Sequence, residues 1–173
     1  GLPKELKFTA VEVNKDSCSF ISAVGITEMK YRDKILRKYH EFPYVTAVDI
    51  FVVDELAKDP ADEAYRMEVL SMLGTMLNGI VNKKDNTKIF QKELKAIEDL
   101  LQIKFDPDKP LEGQFYAIMD KVFQEFNGEG GDMLACMPFR MLHEEACFPK
   151  SAFAETLWLP FCNTKIPVPK DYD

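Results

Sequence analysis

Tyr44 to Asp54 reads YVTAVDIFVVD, the densest β-branched and aromatic run in the chain. Val, Ile and Phe suit a pleated backbone, and the near-continuous apolar character predicts a strand buried on both faces. Asp49 interrupts it. An ionised carboxylate in an apolar strand suffers heavy desolvation unless a basic side chain or a metal ion partners it. Asp49 therefore reads as half of a structural ion pair, as an Asp at a bulge on a solvated face, or as a site carboxylate, since perturbed acids cluster at functional sites. Asp54 ends the run, where its side chain is expected to cap the following turn.

Outward from this strand, residues 6–13 alternate loosely around Phe8, Val11 and Val13, and residues 19–26 (SFISAVGI) form a second β-rich run. The turn cluster Asn14-Lys15-Asp16-Ser17 between them predicts a hairpin or meander. Downstream the period changes. Asp59-Pro60-Ala61-Asp62-Glu63 is a helix start, with Pro in the first turn and acids at the positive end of the dipole. Tyr65, Val69, Met72, Leu73, Met76, Leu77 and Ile80 then recur at three and four, and the helix should close near Lys83-Lys84. Ile89 to Leu101 predicts a second helix and Leu111 to Phe126 a third. Asn127-Gly128-Glu129-Gly130-Gly131 is a loop. Beyond it come a short helix, irregular chain and one strand at Thr164 to Val168.

Strands followed by helices predict an α+β fold in one domain over residues 1–173. Strands occupy 6–54, a helical region 60–127 and a closing segment 133–173. The 173 residues are 46% hydrophobic and 29% charged, which is globular composition. A net charge of −7 argues against nucleic acid as a partner. No apolar run approaches the roughly 18 residues of a transmembrane segment.

Cys18, Cys136, Cys147 and Cys162 contain no Cys-x-x-Cys pair, and only His40 and His143 could join them, so buried free thiols are expected rather than zinc. His143 and Cys147 stand four apart and could form a nucleophilic pair, although a His beside Glu144 and Glu145 is more often a surface ion-pair residue. The methionines fall at helical spacings and read as core filler. Trp158, with Phe148, Phe153 and Phe161, reads first as a packed C-terminal core and second as an aromatic face for a choline or cytosine group.

Three segments in order carry a family resemblance. His40-Glu41-Phe42-Pro43 through Asp49-Ile50-Phe51-Val52-Val53-Asp54 resembles the Asp-Ile-Phe-Pro-Leu-Asp strand of the LicD/fukutin family. Upstream, Leu2-Pro3-Lys4-Glu5-Leu6 and Lys30-Tyr31-Arg32-Asp33-Lys34 are similar to the segments leading into that strand. Downstream, Phe148-Pro149-Lys150 to Phe153, Trp158, Phe161, Ile166-Pro167-Val168-Pro169 and Tyr172-Asp173 resemble its closing motif. The likeness covers nearly the whole chain.

The resemblance implies a nucleotidyltransferase-like fold. The implied activity is transfer of phosphocholine, or a related phospho-alcohol, from a CDP-choline-like donor to a cell-surface glycan such as lipopolysaccharide or teichoic acid. It implies Mg²⁺ or Mn²⁺ on the diphosphate, Asp49 as a catalytic, metal-binding carboxylate, and Arg32 as a phosphate contact whose planar fork suits phosphate oxygens. Trp158 would bind substrate. The location implied is cytoplasmic, at the membrane surface, through peripheral association. The family's acidic Asp-x-Asp cluster has no match before Asp49, and Asp106-Pro107-Asp108 lies between predicted helices. The chain thus corresponds to the middle and C-terminal portion of a longer LicD-type protein and is expected to be weakly active or inactive alone. The rival expectation is a non-catalytic partner-binding or regulatory module.

Overall fold

The computed structural model describes residues 6–9, 22–26, 37–38, 47–82 and 90–172. They fall into two compact units, one drawn from Gly1–Val52 and Leu73–Asp120, the other from Val53–Met72 and Lys121–Asp173.

In the first unit, β1 (Leu6–Thr9), β2 (Ser22–Ile26) and β3 (Ala47–Ile50) form an antiparallel meander in that order. Phe8 stands opposite Val24, and Ala23 opposite Asp49. The expected meander is present, but β3 is much shorter than the apolar run that announced it. Asp49 and Ile50 are exposed, and the strand stops before Phe51 and Val52, each 47% exposed. The reading of burial on both faces therefore fails for residues 49–53. Apolar composition gives the capacity for burial, and neighbouring elements decide whether it is used. The predicted turn at 14–17 lies outside the described residues.

The helical part of this unit draws on α1 (Pro60–Asn82) from Leu73 onward, α2 (Gln91–Leu101) and α3 (Leu111–Phe123) up to Asp120. Leu73, Met76, Leu77, Ile97, Phe115 and Met119 form its buried core. The two methionines are core filler, as their spacing predicted. Phe105 stacks on Phe115 with ring centroids 5.2 Å apart. Gly79 lies inside α1, where a Cβ would stand 3.2 Å from the Phe90 ring; the missing side chain lets that ring approach.

α2 ends by a backbone device. Gln102 takes a left-handed conformation (φ 53°), and the Ile103 N–H donates to the Glu98 carbonyl at 3.0 Å, closing a Schellman-type turn. The Glu98 carboxylate then accepts from the Phe105 N–H (3.0 Å) and from Lys104 Nζ (3.1 Å). These donors, the Phe105 amide first, hold its carboxyl below the usual range.

The second unit contains an antiparallel sheet ordered β4 (Asp54–Glu55), β5 (Met133–Ala135) and β6 (Phe148–Pro149). The short helix α4 (Met137–Arg140) follows β5, with Pro138 in its first turn. A 3₁₀ turn (Lys150–Phe153) follows β6. Leu56, Val69, Leu70, Phe123, Leu134, Ala135 and Met137 are its buried apolar residues. Gly131 is required by the packing, because a Cβ there would collide with the Leu56 carbonyl oxygen.

The chain then forms a hairpin, β7 (Thr156–Phe161) with β8 (Thr164–Pro169). The α+β class holds, but the expected helical C-terminal part does not. The three long helices lie mid-chain, and beyond residue 132 short strands alternate with the one-turn α4 and the 3₁₀ turn. Of the two hairpin strands the sequence predicts only the one at Thr164 to Val168; β7 forms although it contains Pro160. The register explains the tolerance. Phe161 pairs with Thr164 across a two-residue loop, so that pair exchanges hydrogen bonds and the pattern alternates outward. Pro160, Pro167 and Pro169 all fall at the intervening positions, where the backbone nitrogen faces away from the partner strand and no ladder bond is lost. Cys162 takes the positive φ (52°) at the first loop position.

Replacing Gln102 with Gly removes the steric penalty of the left-handed conformation. Gln102→Gly is expected to stabilise the chain by up to about 1 kcal/mol, read as a higher urea midpoint at unchanged slope.

Candidate functional site

The most densely built polar region lies in the second unit, around the start of α1. Asp59 Oδ1 accepts the Ala61 N–H at 2.8 Å and so caps the helix. Arg66 lies three and four residues before the buried Val69 and Leu70, on the same helical face. The apolar stripe thereby carries a guanidinium inside, and Arg66 is 1% exposed. Its Nη1 donates to the Glu55 and Phe123 carbonyls, both at 3.1 Å, and its Nη2 to Glu63 Oε2 at 2.5 Å. The guanidinium carbon stands 4.9 Å from the Phe126 ring centre. Nε has no hydrogen-bond partner among the described residues, and the ring's negative face offsets part of that loss.

Glu63 completes the charge balance. Besides Arg66, its carboxylate accepts the Ala57 N–H at 2.9 Å, and Arg140 Nε lies 3.4 Å from its other oxygen. Arg140 also donates to the Glu144 carbonyl. One buried acid thus ties α1 to the chain leaving β4 and to α4.

The loop after α3 binds β4 from another side. The Asn127 side chain accepts the Glu55 N–H (2.7 Å) and donates to Asp54 Oδ1 (2.8 Å). Asp54 is buried at 5% exposure. It is a buried strand residue opposite Ala135, not the turn cap that its place in the sequence suggested. The Leu56 N–H continues the pairing to the Met133 carbonyl at 2.9 Å. Lys150, just past β6, forms an ion pair with Glu55. That contact, and behind it the amides of Gly128 and Gly130, hold the Glu55 carboxyl below its ordinary range against the opposing effect of burial. Each of these carboxylates meets a cation or an amide donor. The arrangement holds backbone segments together; it does not present a free acid to a substrate.

The residues singled out from the sequence fall elsewhere. Asp49 is exposed on β3 in the first unit, so the desolvation argument that drew attention to it does not apply. Arg32 lies outside the described residues. Trp158 belongs to β7, opposite Pro167, and is 61% exposed. The packed aromatic core expected around it is absent: Phe148, Phe153 and Phe161 are 48%, 44% and 55% exposed. Phe148 and Phe153 do meet edge to face, at 6.3 Å. Among the described residues, no three of His, Cys, Asp and Glu are grouped so as to hold a metal ion. His143 lies near the exposed Glu145 at 4.0 Å, as a surface residue would. Cys136 is partly buried and its thiol is pushed up by that burial, whereas Cys162 is exposed at the hairpin loop, contrary to the expectation of buried thiols; Cys18 lies outside the described residues.

Sequence reasoning missed the Glu63–Arg66 pair. A signal existed, since Arg66 interrupts the apolar stripe at a spacing that must face the core. Nothing local could have joined Asn127 or Lys150 to Asp54 and Glu55, more than seventy residues away in sequence. The chain matches no protein-family model, no curated protein and no solved structure.

Two outcomes follow from this geometry. Arg66→Met removes a fully buried cation and leaves Glu63 with only Arg140 and an amide, so it should cost about 3–5 kcal/mol of unfolding free energy in urea titration. Glu55 has a folded pKa below its ordinary value of 4.5, so its contribution is complete above that pH and is lost as pH falls through the lower folded value. Lys150→Met should therefore lower the urea midpoint at neutral pH and flatten its decline on acidification. Parallel curves for the two proteins would refute the pairing.

Proposed function

We propose that the chain is a portion of a LicD-type phosphotransferase that moves phosphocholine, or a similar phospho-alcohol, from a CDP-activated donor to a cell-surface glycan. One observation supports this reading above the others. Two of the three stretches on which the resemblance rests meet in one sheet. Asp54, the last residue of the Asp49–Asp54 segment, opens β4, Phe148-Pro149 forms β6, and β5 lies between them. Glu55, the residue that follows the first motif, forms an ion pair with Lys150 of the second across a separation of 95 residues. A coincidental likeness in two distant stretches would carry no such requirement.

On this reading the exposed Asp49 carboxylate is available to a donor diphosphate and its cation, and the resemblance assigns Arg32, outside the described residues, to a phosphate oxygen. The exposed Trp158 ring offers its face to a quaternary ammonium. A divalent ion would neutralise charge on the diphosphate. The described residues contribute Asp49 alone and do not assemble a donor set, so no step is assigned to the ion.

Calorimetric titration of CDP-choline with and without Mn²⁺ tests the proposal. Binding that needs Mn²⁺ and weakens more than about tenfold in Asp49→Asn would sustain it. Absence of binding, or indifference to the substitution, would sink it. The second reading, a partner-binding module without catalysis, is favoured by the acids around Glu63, each of which already meets a cation or an amide donor. That reading predicts no nucleotide binding under either condition.

A further inference from the structure

The hairpin β7–β8 is apolar and exposed on both of its faces. One face carries Trp158, Pro160 and Pro167; the other carries Leu157, Phe161 and Ile166. Trp158 is 61% exposed, Phe161 55%, Leu157 39% and Ile166 37%. Isolated exposed hydrophobic side chains are ordinary; a contiguous set on a two-stranded hairpin is not. A protein partner would cover one face. A hairpin that is apolar all round calls for a surrounding medium.

Charge and backbone chemistry narrow the choice. Between Thr156 and Pro169 the single charged residue is Lys165, beside the tip, in a chain of net charge −7. Acids first reappear at the open end, where Glu155 pairs with Lys170 at 2.9 Å and Asp171 follows. The hairpin is therefore cationic toward its tip and acidic only at its base. Entering an apolar phase normally strands edge N–H groups without partners. Here Pro160, Pro167 and Pro169 sit at outward-facing positions of the register, which removes three such donors. The same prolines discourage a further strand from pairing on either edge. Six-residue strands are too short to span a bilayer, for which about 9–11 are needed, so entry stops at the interface. Trp and Lys are side chains suited to that depth.

We propose that the β7–β8 hairpin is a membrane-docking element that enters the interface of an anionic lipid surface tip first, with the Phe161 ring reaching the acyl chains and Lys165 and Trp158 at the headgroup level. The transferase reading also implies peripheral membrane association, but the docking element rests on the hairpin's own residues and stands or falls by the vesicle experiment alone.

Trp158 is the only tryptophan in the chain, so its fluorescence reports on this hairpin alone. The whole chain would be titrated with phosphatidylcholine vesicles, with and without roughly one-third phosphatidylglycerol, using brominated acyl chains as quenchers. With the anionic vesicles, emission should shift to shorter wavelength and be quenched. Phe161→Asp and Lys165→Glu should each weaken partitioning about tenfold or more. Both positions are exposed, and circular dichroism would verify that folding is retained. An unshifted spectrum with both vesicle types would overturn the proposal. A shift that grows with protein concentration in the absence of lipid would overturn it in favour of a second copy covering the hairpin. Equal binding to both vesicle types, unaffected by Lys165→Glu, would overturn the anionic specificity.

Discussion

Arg66 holds a permanent charge in the interior of the second unit, and much of that unit is arranged to satisfy it. An unpartnered guanidinium at that depth would be prohibitive, since no change of protonation can relieve it. Relief comes from Glu63, from two main-chain carbonyls and from the Phe126 ring. Apart from Glu63 on α1 itself, these groups belong to β4, the end of α3 and the loop beyond it. Fixing one side chain therefore fixes the relative placement of three segments. Apolar residues of similar volume could fill the same space, but they would not specify which carbonyls approach α1.

Around this pair, β4 is held by a second set of polar contacts. Asn127 reads both ends of the Asp54–Glu55 dipeptide, accepting from one residue's amide and donating to the other's carboxylate. The adjoining glycine-rich loop permits the approach. Gly128 and Gly130 take positive φ (90° and 82°), and Gly131 presses against the Leu56 carbonyl. A loop that looks like a flexible linker by composition is thus a positioned clamp. The same sheet brings Lys150 to Glu55 and with it the two motifs that motivate the phosphotransferase proposal.

The hairpin follows a different logic. Its register is set locally, by a two-residue loop and by prolines confined to positions where no ladder bond is needed. It leaves large apolar side chains exposed on both faces, whereas the adjoining sheet buries Leu134 and Ala135. The contrast between a polar-clamped sheet and an uncovered hairpin assigns them separate tasks: one maintains the fold and the other meets something outside it.

By itself the sequence determined the elements whose signals are local. The 3.6-residue period of Val69, Leu73, Met76 and Leu77 specified α1, Asp59-Pro60 marked its start, and the β-rich runs before residue 50 specified the meander, because period and capping chemistry act over a few residues. Tertiary structure decided what lay beyond that range. It left Asp49 exposed and buried Asp54, five residues further on, because solvent exposure depends on which distant segments cover a strand. It formed β7 around Pro160, since a proline's effect depends on which way its nitrogen faces in a register that only pairing defines. It joined Glu55 to Lys150 and Asp54 to Asn127, because an ion pair or side-chain hydrogen bond between distant residues leaves no periodicity in the chain that forms it.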